Sequence, residues 1–299
     1  MIDGAIGSER RIWSLFQNVA ILLCISLAVT PAFKMKFWNI GAEGQVLIGG
    51  LATISVMMFL GDKLPYPVLL IVMVLASILA GVVWAVVPAF FKAMWNTNET
   101  LFTLMMNYVA MTLVSYFIMI KDKSGRSDLG ILNERTGYGY LPTLFERNYI
   151  FNILIVLAVT VFMFIYLKYS KQGYEISVVG ESENTAKYIG INVKKVIIRT
   201  LIVSGALCGI AGLLLVGGTN HTISTTTVDG RGFTAVMVSW LGKFNPIWMI
   251  LTSFLLVFLG RGAGEIATDF GLNASFGDIL TGIILFFIIG CEFFTADFC

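Results

Sequence analysis

Apolar positions in this chain do not alternate with polar ones. They run together in blocks, each ended by a few polar, glycine or proline residues. A block of about 20 apolar residues is what an α-helix needs to cross the hydrocarbon of a bilayer. The first block, 12–33, is interrupted only by Gln17, Asn18 and Pro31. The second, 37–60, holds Asn39, Glu43 and Gln45 among Gly41, Gly44, Gly49 and Gly50. Blocks at 68–91, 101–120, 149–167 and 200–216 follow, the last free of charge. Phe233 to Leu241 is too short to cross alone, Asn245-Pro246 opens a run to Leu259, and a final run covers 279–289. The pattern predicts an all-α, polytopic transmembrane helical bundle of about nine crossings in a single domain, 1–299, with broken or half-helices near 39–45 and 230–242.

Two polar stretches stand between the blocks. Residues 121–148 mix both signs of charge with glycines and read as an aqueous loop. Residues 168–199 carry six basic and three acidic side chains and contain a short helix signal. Ser182 is placed to cap it, Glu183 falls in its first turn and Gly190 stops it, while a second helix starts near Asn192. Ala186, Tyr188 and Ile189 on such a helix suit docking into a groove on a soluble partner; an ordinary solvated loop is the plain alternative. The sixth block carries Gly205, Gly209 and Gly212, a face that lets helix backbones approach closely.

Composition agrees with the pattern. Apolar residues make up 57% of 299 positions and charged ones only 13%, whereas a soluble chain sits nearer a quarter charged. A net charge of +2 gives no reason to expect a nucleic-acid partner. Cys24, Cys208, Cys291 and Cys299 show neither metal-ligand nor disulfide-framework spacing. No phosphate-cradling G-x-x-x-x-G-K-[ST] loop occurs, His221 is the single histidine, and no nucleophile elbow is present, so neither an enzyme nor a resident cofactor is expected. Arg10 and Arg11 before an apolar run look weakly like a secretory signal. Alternating the spans places ten basic residues on each side, so charge does not orient the bundle.

The polar interruptions carry the candidate chemistry. Asn39, Glu43 and Gln45 are costly in lipid and should face protein or a water-filled cavity. The flanking glycines permit a broken helix at a solute site, or the segment is an interfacial loop ahead of the helix. Asn98 or Thr97 can cap the next helix, with Glu99 favoured by its dipole. Asn107, inside a span, needs a partner on a neighbouring helix or a ligand. Gly230-Arg231-Gly232 ahead of Phe233 is a third interruption. Asn39, Glu43, Gln45, Asn98, Asn107 and Phe233 are therefore the candidates for a solute path.

Four stretches resemble one known family: Phe37 to Gln45 with its Asn-Ile-Gly-Ala-Glu-Gly-Gln run, Asn98 to Tyr108, Gly180 to Val193 and Gly230 to Ala235. The chain is similar to permease subunits of ATP-binding-cassette importers, in the nucleoside and simple-sugar (basic membrane protein-associated) branch. The resemblance implies a permease of the plasma or inner membrane that pairs with a second permease, the same or different. Two cytoplasmic ATPase subunits would carry ATP and Mg, and an external substrate-binding lipoprotein would deliver the solute. It further implies that 121–148 is extracytoplasmic, that 168–199 is a cytoplasmic coupling loop, and that Gly180, Glu183, Ala186, Tyr188, Gly190 and Ile191 meet the ATPase. A nucleoside is the first expectation for the solute and a pentose or hexose the second. An ion-coupled secondary transporter is the rival, disfavoured because Glu43, Glu99 and Asp278 lie near segment ends. Two departures stand out: relatives begin with one more span before the position of Gly4, and they more often show Asn-Pro-Glu where Glu-Ser-Glu-Asn follows Gly180 here.

Overall fold

The computed structural model describes residues 7–122, 125–142 and 149–273, together with 276, 279, 281–284, 286, 287 and 290. Its helices are α1 Glu9–Lys34, α2 Ala42–Leu60, α3 Tyr66–Trp95, α4 Glu99–Lys121, α5 Ile150–Tyr169, α6 Lys171–Glu181, α7 Glu183–Tyr188, α8 Val193–Leu215, α9 Arg231–Leu241 and α10 Pro246–Asp269. A π-helical turn, Val216–Asn220, extends α8. Among the described residues, seven helices are long and apolar enough to span a bilayer, α8 being counted with its π-turn. The expectation of about nine crossings is thus not met there. Helix α9 has 11 residues and rises only about 16 Å, half the hydrocarbon thickness. The run expected at 279–289 lies partly outside the described residues, as do Asp278, Cys291, Cys299, Lys123 and Arg147.

Helix starts follow the capping chemistry of the sequence. Ser8, Asn98, Ser170, Ser182, Asn192 and Asn245 each accept a backbone N–H two or three residues on. The second span does not start at Phe37, because residues 35–41 leave helical geometry and α2 begins at Ala42. Helix α6 was not foreseen within 168–199. It forms because Gly173, Ile176, Val179 and Gly180 line one buried face, spaced by three and four residues.

Helix α8 is the centre of the bundle, walled by α1, α2 and α3. Its glycines remove the side chains that would hold neighbours away. A Cβ on Gly205 would lie 2.5 Å from the Gly81 carbonyl of α3, and one on Gly212 would lie 2.4 Å from the Val46 carbonyl of α2. Outward, α3 exposes Ile71, Leu75, Leu79 and Val83 one turn apart while burying Met73, Ser77, Gly81 and Ala85. An apolar stripe of that length belongs against lipid.

Two ends of the bundle are distinct. At one, α6 packs on the last turn of α1, with Gly180 against the Lys34 carbonyl. At the other, residues 125–142 are bound to the α8–α9 connection. Leu129 N–H donates to Ile223 O at 3.2 Å, Leu132 N–H to His221 O at 3.0 Å and Leu141 N–H to Gly217 O at 3.0 Å. The Tyr140 ring stacks on His221 at 3.6 Å with 7° between planes. Burial lowers the His221 pKa, a hydrogen bond to the Val216 backbone opposing it. Burial also raises that of Tyr140, helped by Glu134.

Candidate functional site

After α1 the chain reverses through Lys36, in the left-handed region at φ 59°, and runs non-helically to Gly41. Backbone N–H and C=O groups outside a helix cost several kcal/mol each in hydrocarbon unless they are paired. The amides of this region pair them. Asn107 of α4 accepts from Gly44 N–H at 2.8 Å and donates to Ile40 O at 2.9 Å. Ile40 N–H donates to Thr103 Oγ1 at 3.2 Å. Asn39 accepts from Gly41 N–H at 3.1 Å and from Gln45 Nε2 at 3.2 Å, and donates to Ser204 Oγ of α8 at 3.3 Å.

Glu43 joins this break to the second one. It stands in the first turn of α2, and its Oε1 and Oε2 accept from Gly230 N–H at 3.0 Å and Gly232 N–H at 2.7 Å at the start of α9. One carboxylate therefore meets two helix N-termini, where backbone donors and dipoles favour negative charge. A Cβ on Gly232 would sit 2.6 Å from Glu43 N, so only glycine permits the approach. The partner that Asn107 requires is thus the α2 backbone, within this chain.

The six path candidates do not form one cluster. Asn39, Glu43, Gln45 and Asn107 come together and are at most 3% exposed. Asn98 is the exposed cap of α4, beside the Lys92–Glu99 ion pair at 2.8 Å. Phe233 faces outward from α9 with Met237 and Trp240. Sequence reasoning missed that face and its neighbour Trp38, whose ring lies 5.6 Å from Trp240 and 5.7 Å from Phe33. Spacing of four and three residues at 233, 237 and 240 was the available signal.

At the other candidate element, Ser182 caps α7 as its sequence predicts, accepting from Thr185 N–H at 3.3 Å. Gly190 ends it at φ 85° with no atom near a would-be Cβ. Tyr188 is 92% exposed, and Ile189 and Glu183 also face out. Ala186, expected on the exposed face, is instead fully buried. The six-residue helix must seat one side on α6 and α8 to hold its place, and the smallest apolar residue takes that side. Gly180 is buried as well. Arg199 of α8 donates to Glu175 of α6 at 2.8 Å, which ties the element to the spans.

A lipid-faced helical body with polar residues gathered at a break in its spans and a capped projection at one end is the framework of a polytopic membrane protein. The chain belongs to the family described as branched-chain amino acid transport system / permease component, whose model matches residues 12–289. It is 28% identical to the glucose ABC transporter permease protein TsgB13 of Haloferax volcanii, over 98% of this chain and 80% of that one. It is also 28% identical to the guanosine ABC transporter permease protein NupP of Bacillus subtilis, over 96% of this chain and 83% of that one. The nucleoside ABC transporter permease protein NupB of Lactococcus lactis is 25% identical, over 95% and 80%. The protein is a multi-pass membrane permease subunit of the ATP-binding-cassette class.

Proposed function

We propose that this permease passes a nucleoside inward, received from an external substrate-binding lipoprotein, beside a second permease of the same or a related sequence. Two cytoplasmic ATPase subunits hold ATP and Mg; this chain binds no cofactor. The observation that carries the reading is α7, a capped helix seated by Ala186 that presents Tyr188 and Ile189 outward at one end of the spans. In that reading 168–199 is cytoplasmic, 121–148 is extracytoplasmic, and α9 with the 279–289 run brings the crossings to about nine. ATP-driven closure of the partners presses on Glu183, Tyr188, Gly190 and Ile191 and rocks the permease pair.

The roles of the path candidates divide. Asn39, Glu43, Gln45 and Asn107 hold open a break beside the path. Trp38, Phe233 and Trp240 offer the flat apolar faces on which a nucleobase stacks, and Asn98 stands where the path meets the α4 cap. A guanosine and a nucleoside permease among the relatives support the solute class; the glucose permease supports a sugar as the second reading. Proteoliposomes containing this chain, its second permease, ATPases and lipoprotein should accumulate labelled guanosine only with ATP inside. Accumulation of glucose alone selects the sugar. Uptake by this chain with no ATPase present overturns the class of mechanism.

A further inference from the structure

Among the described spans, α3, α4, α5 and α10 are the ones that lie mostly outside the core, and one of their outward faces differs from the others. The stripe of α3 is Ile71, Leu75, Leu79 and Val83; at similar depth α5 exposes Leu157, Val161 and Ile165, and α10 exposes Trp248, Leu251 and Leu255. All are apolar, as contact with lipid requires. Helix α4 turns Thr103, Asn107 and Ala110 into the bundle. Its outward stripe, stepped by three and four residues, is Met105, Tyr108, Thr112, Ser115 and Met119. Three hydroxyls in succession occupy the centre of that stripe.

Depth sharpens the difference. Tyr108 stands about 14 Å along α4 from Glu99, near the middle of a hydrocarbon layer about 30 Å thick. From there its phenol reaches neither headgroup region. Serine and threonine can return an O–H to their own helix, as Thr112 does to Tyr108 O at 2.9 Å. A phenol on a rigid ring cannot bend back in that way. Tyr108 is nevertheless 60% exposed, so at that depth its hydroxyl requires water or a polar ligand beside it. A dry crossing with another helix is the poorer match. Such crossings favour small residues, whereas Met105, Tyr108 and Met119 are large and stand well out from the bundle.

We infer that Tyr108, Thr112 and Ser115 line the solute path and exchange hydrogen bonds with the hydroxyl groups of the passing solute. Met105 and Met119 bound this polar strip at its two ends. An apolar cavity of about 430 Å³, lined by Asn98, Leu101 and Met105 among others, continues the face toward the α4 cap. The inference rests on the permease reading given above but not on the choice of solute, since a ribose and a hexose present the same O–H groups.

The test places the assembled transporter, with its second permease and ATPases, in lipid nanodiscs open to water on both faces. Tyr108→Cys, Thr112→Cys and Ser115→Cys are compared with Leu79→Cys on α3 and Val161→Cys on α5, all with Cys291 and Cys299 changed to serine; Cys24 and Cys208 are fully buried. A charged methanethiosulfonate reagent is added alone, with guanosine or with glucose. Because the reactive thiolate needs water, the α4 cysteines should react at least about tenfold faster than the two controls. The solute should then slow them several-fold. Slowing by glucose and not guanosine keeps the inference and turns the solute to the sugar. Tyr108→Phe, which keeps the ring, should raise the KM for uptake about fivefold at an unchanged thermal midpoint. Rates on α4 equal to the controls overturn the inference and leave the solute open, because they put lipid on that face. Fast rates that neither solute slows overturn the contact with solute. Disulfide-linked permease pairs formed by Thr112→Cys in place of labelling also overturn it, since they put a dry helix crossing there.

Discussion

At the start of α2, Asn39, Glu43, Gln45 and Asn107 are nearly sealed off; Asn39, Glu43 and Asn107 bond backbone groups of the same chain, and Gln45 donates to Asn39. Around α7 the arrangement is reversed, with small residues turned inward and Tyr188, 92% exposed, turned out. In an apolar solvent, polar side chains are drawn inward to satisfy irregular backbone, so a buried amide marks a structural joint before it marks a solute contact. At the aqueous end, an exposed large apolar side chain is the unusual feature and points to a partner. The two regions should therefore fail in different ways when altered.

The largest effect is expected at Gly232. Gly232→Val forces a side chain into the Glu43 backbone, and both folded yield in membranes and uptake should drop to background. Normal yield measured by size-exclusion of the solubilised protein would show that the two breaks are not joined as described. Next is the projection. Tyr188→Ala and Gly190→Val, the latter adding about 1–2 kcal/mol of local strain at φ 85°, should cut ATP-driven uptake several-fold while leaving membrane insertion intact. Uptake equal to wild type in both variants would remove α7 as the coupling contact.

Glu43→Gln keeps shape but removes charge and one acceptor, a loss of about 2 kcal/mol. The thermal midpoint and uptake should fall together. A fall in uptake at an unchanged midpoint would instead make Glu43 a path-lining group. The smallest effect concerns His221. Its folded pKa lies below the ordinary 6.5 because of burial, so as pH falls through 6.5 the unfolded chain takes up the proton first. Folded stability is therefore full above that range and declines as pH falls toward the lower folded value. Melting curves between pH 8 and pH 5 should show a decline of a few degrees that is absent in His221→Gln, and equal curves would mean that burial does not disfavour the charged ring.

The spans were legible because a long apolar run has one meaning in a chain this poor in charge. Ser182, Gly190, Asn192 and Asn98 were legible because capping acts over two or three residues. Helix α6 was not, since its buried stripe of Gly173, Ile176, Val179 and Gly180 is short and half glycine. The Glu43 contacts were beyond reach for another reason: residues 43 and 232 are far apart in sequence, and nothing local to either announces the other. Ala186 was misplaced because a helix of two turns shows too few residues to tell its seated side from its outer side. The aromatic face of Trp38 and Trp240 was hidden by chemistry, as in lipid both lipid-facing and path-facing positions are apolar.

The glycine contacts of α8 with α2 and α3 set where the molecule can deform. Backbones that touch leave no side chains between them to re-seat in a second arrangement, so these three helices travel as a unit. A hinge is then expected outside that block, where α9 and α10 pack against α1. Disulfides engineered across the α3–α8 seam should accordingly leave transport running, whereas ones that fasten α9 to α1 should stall it.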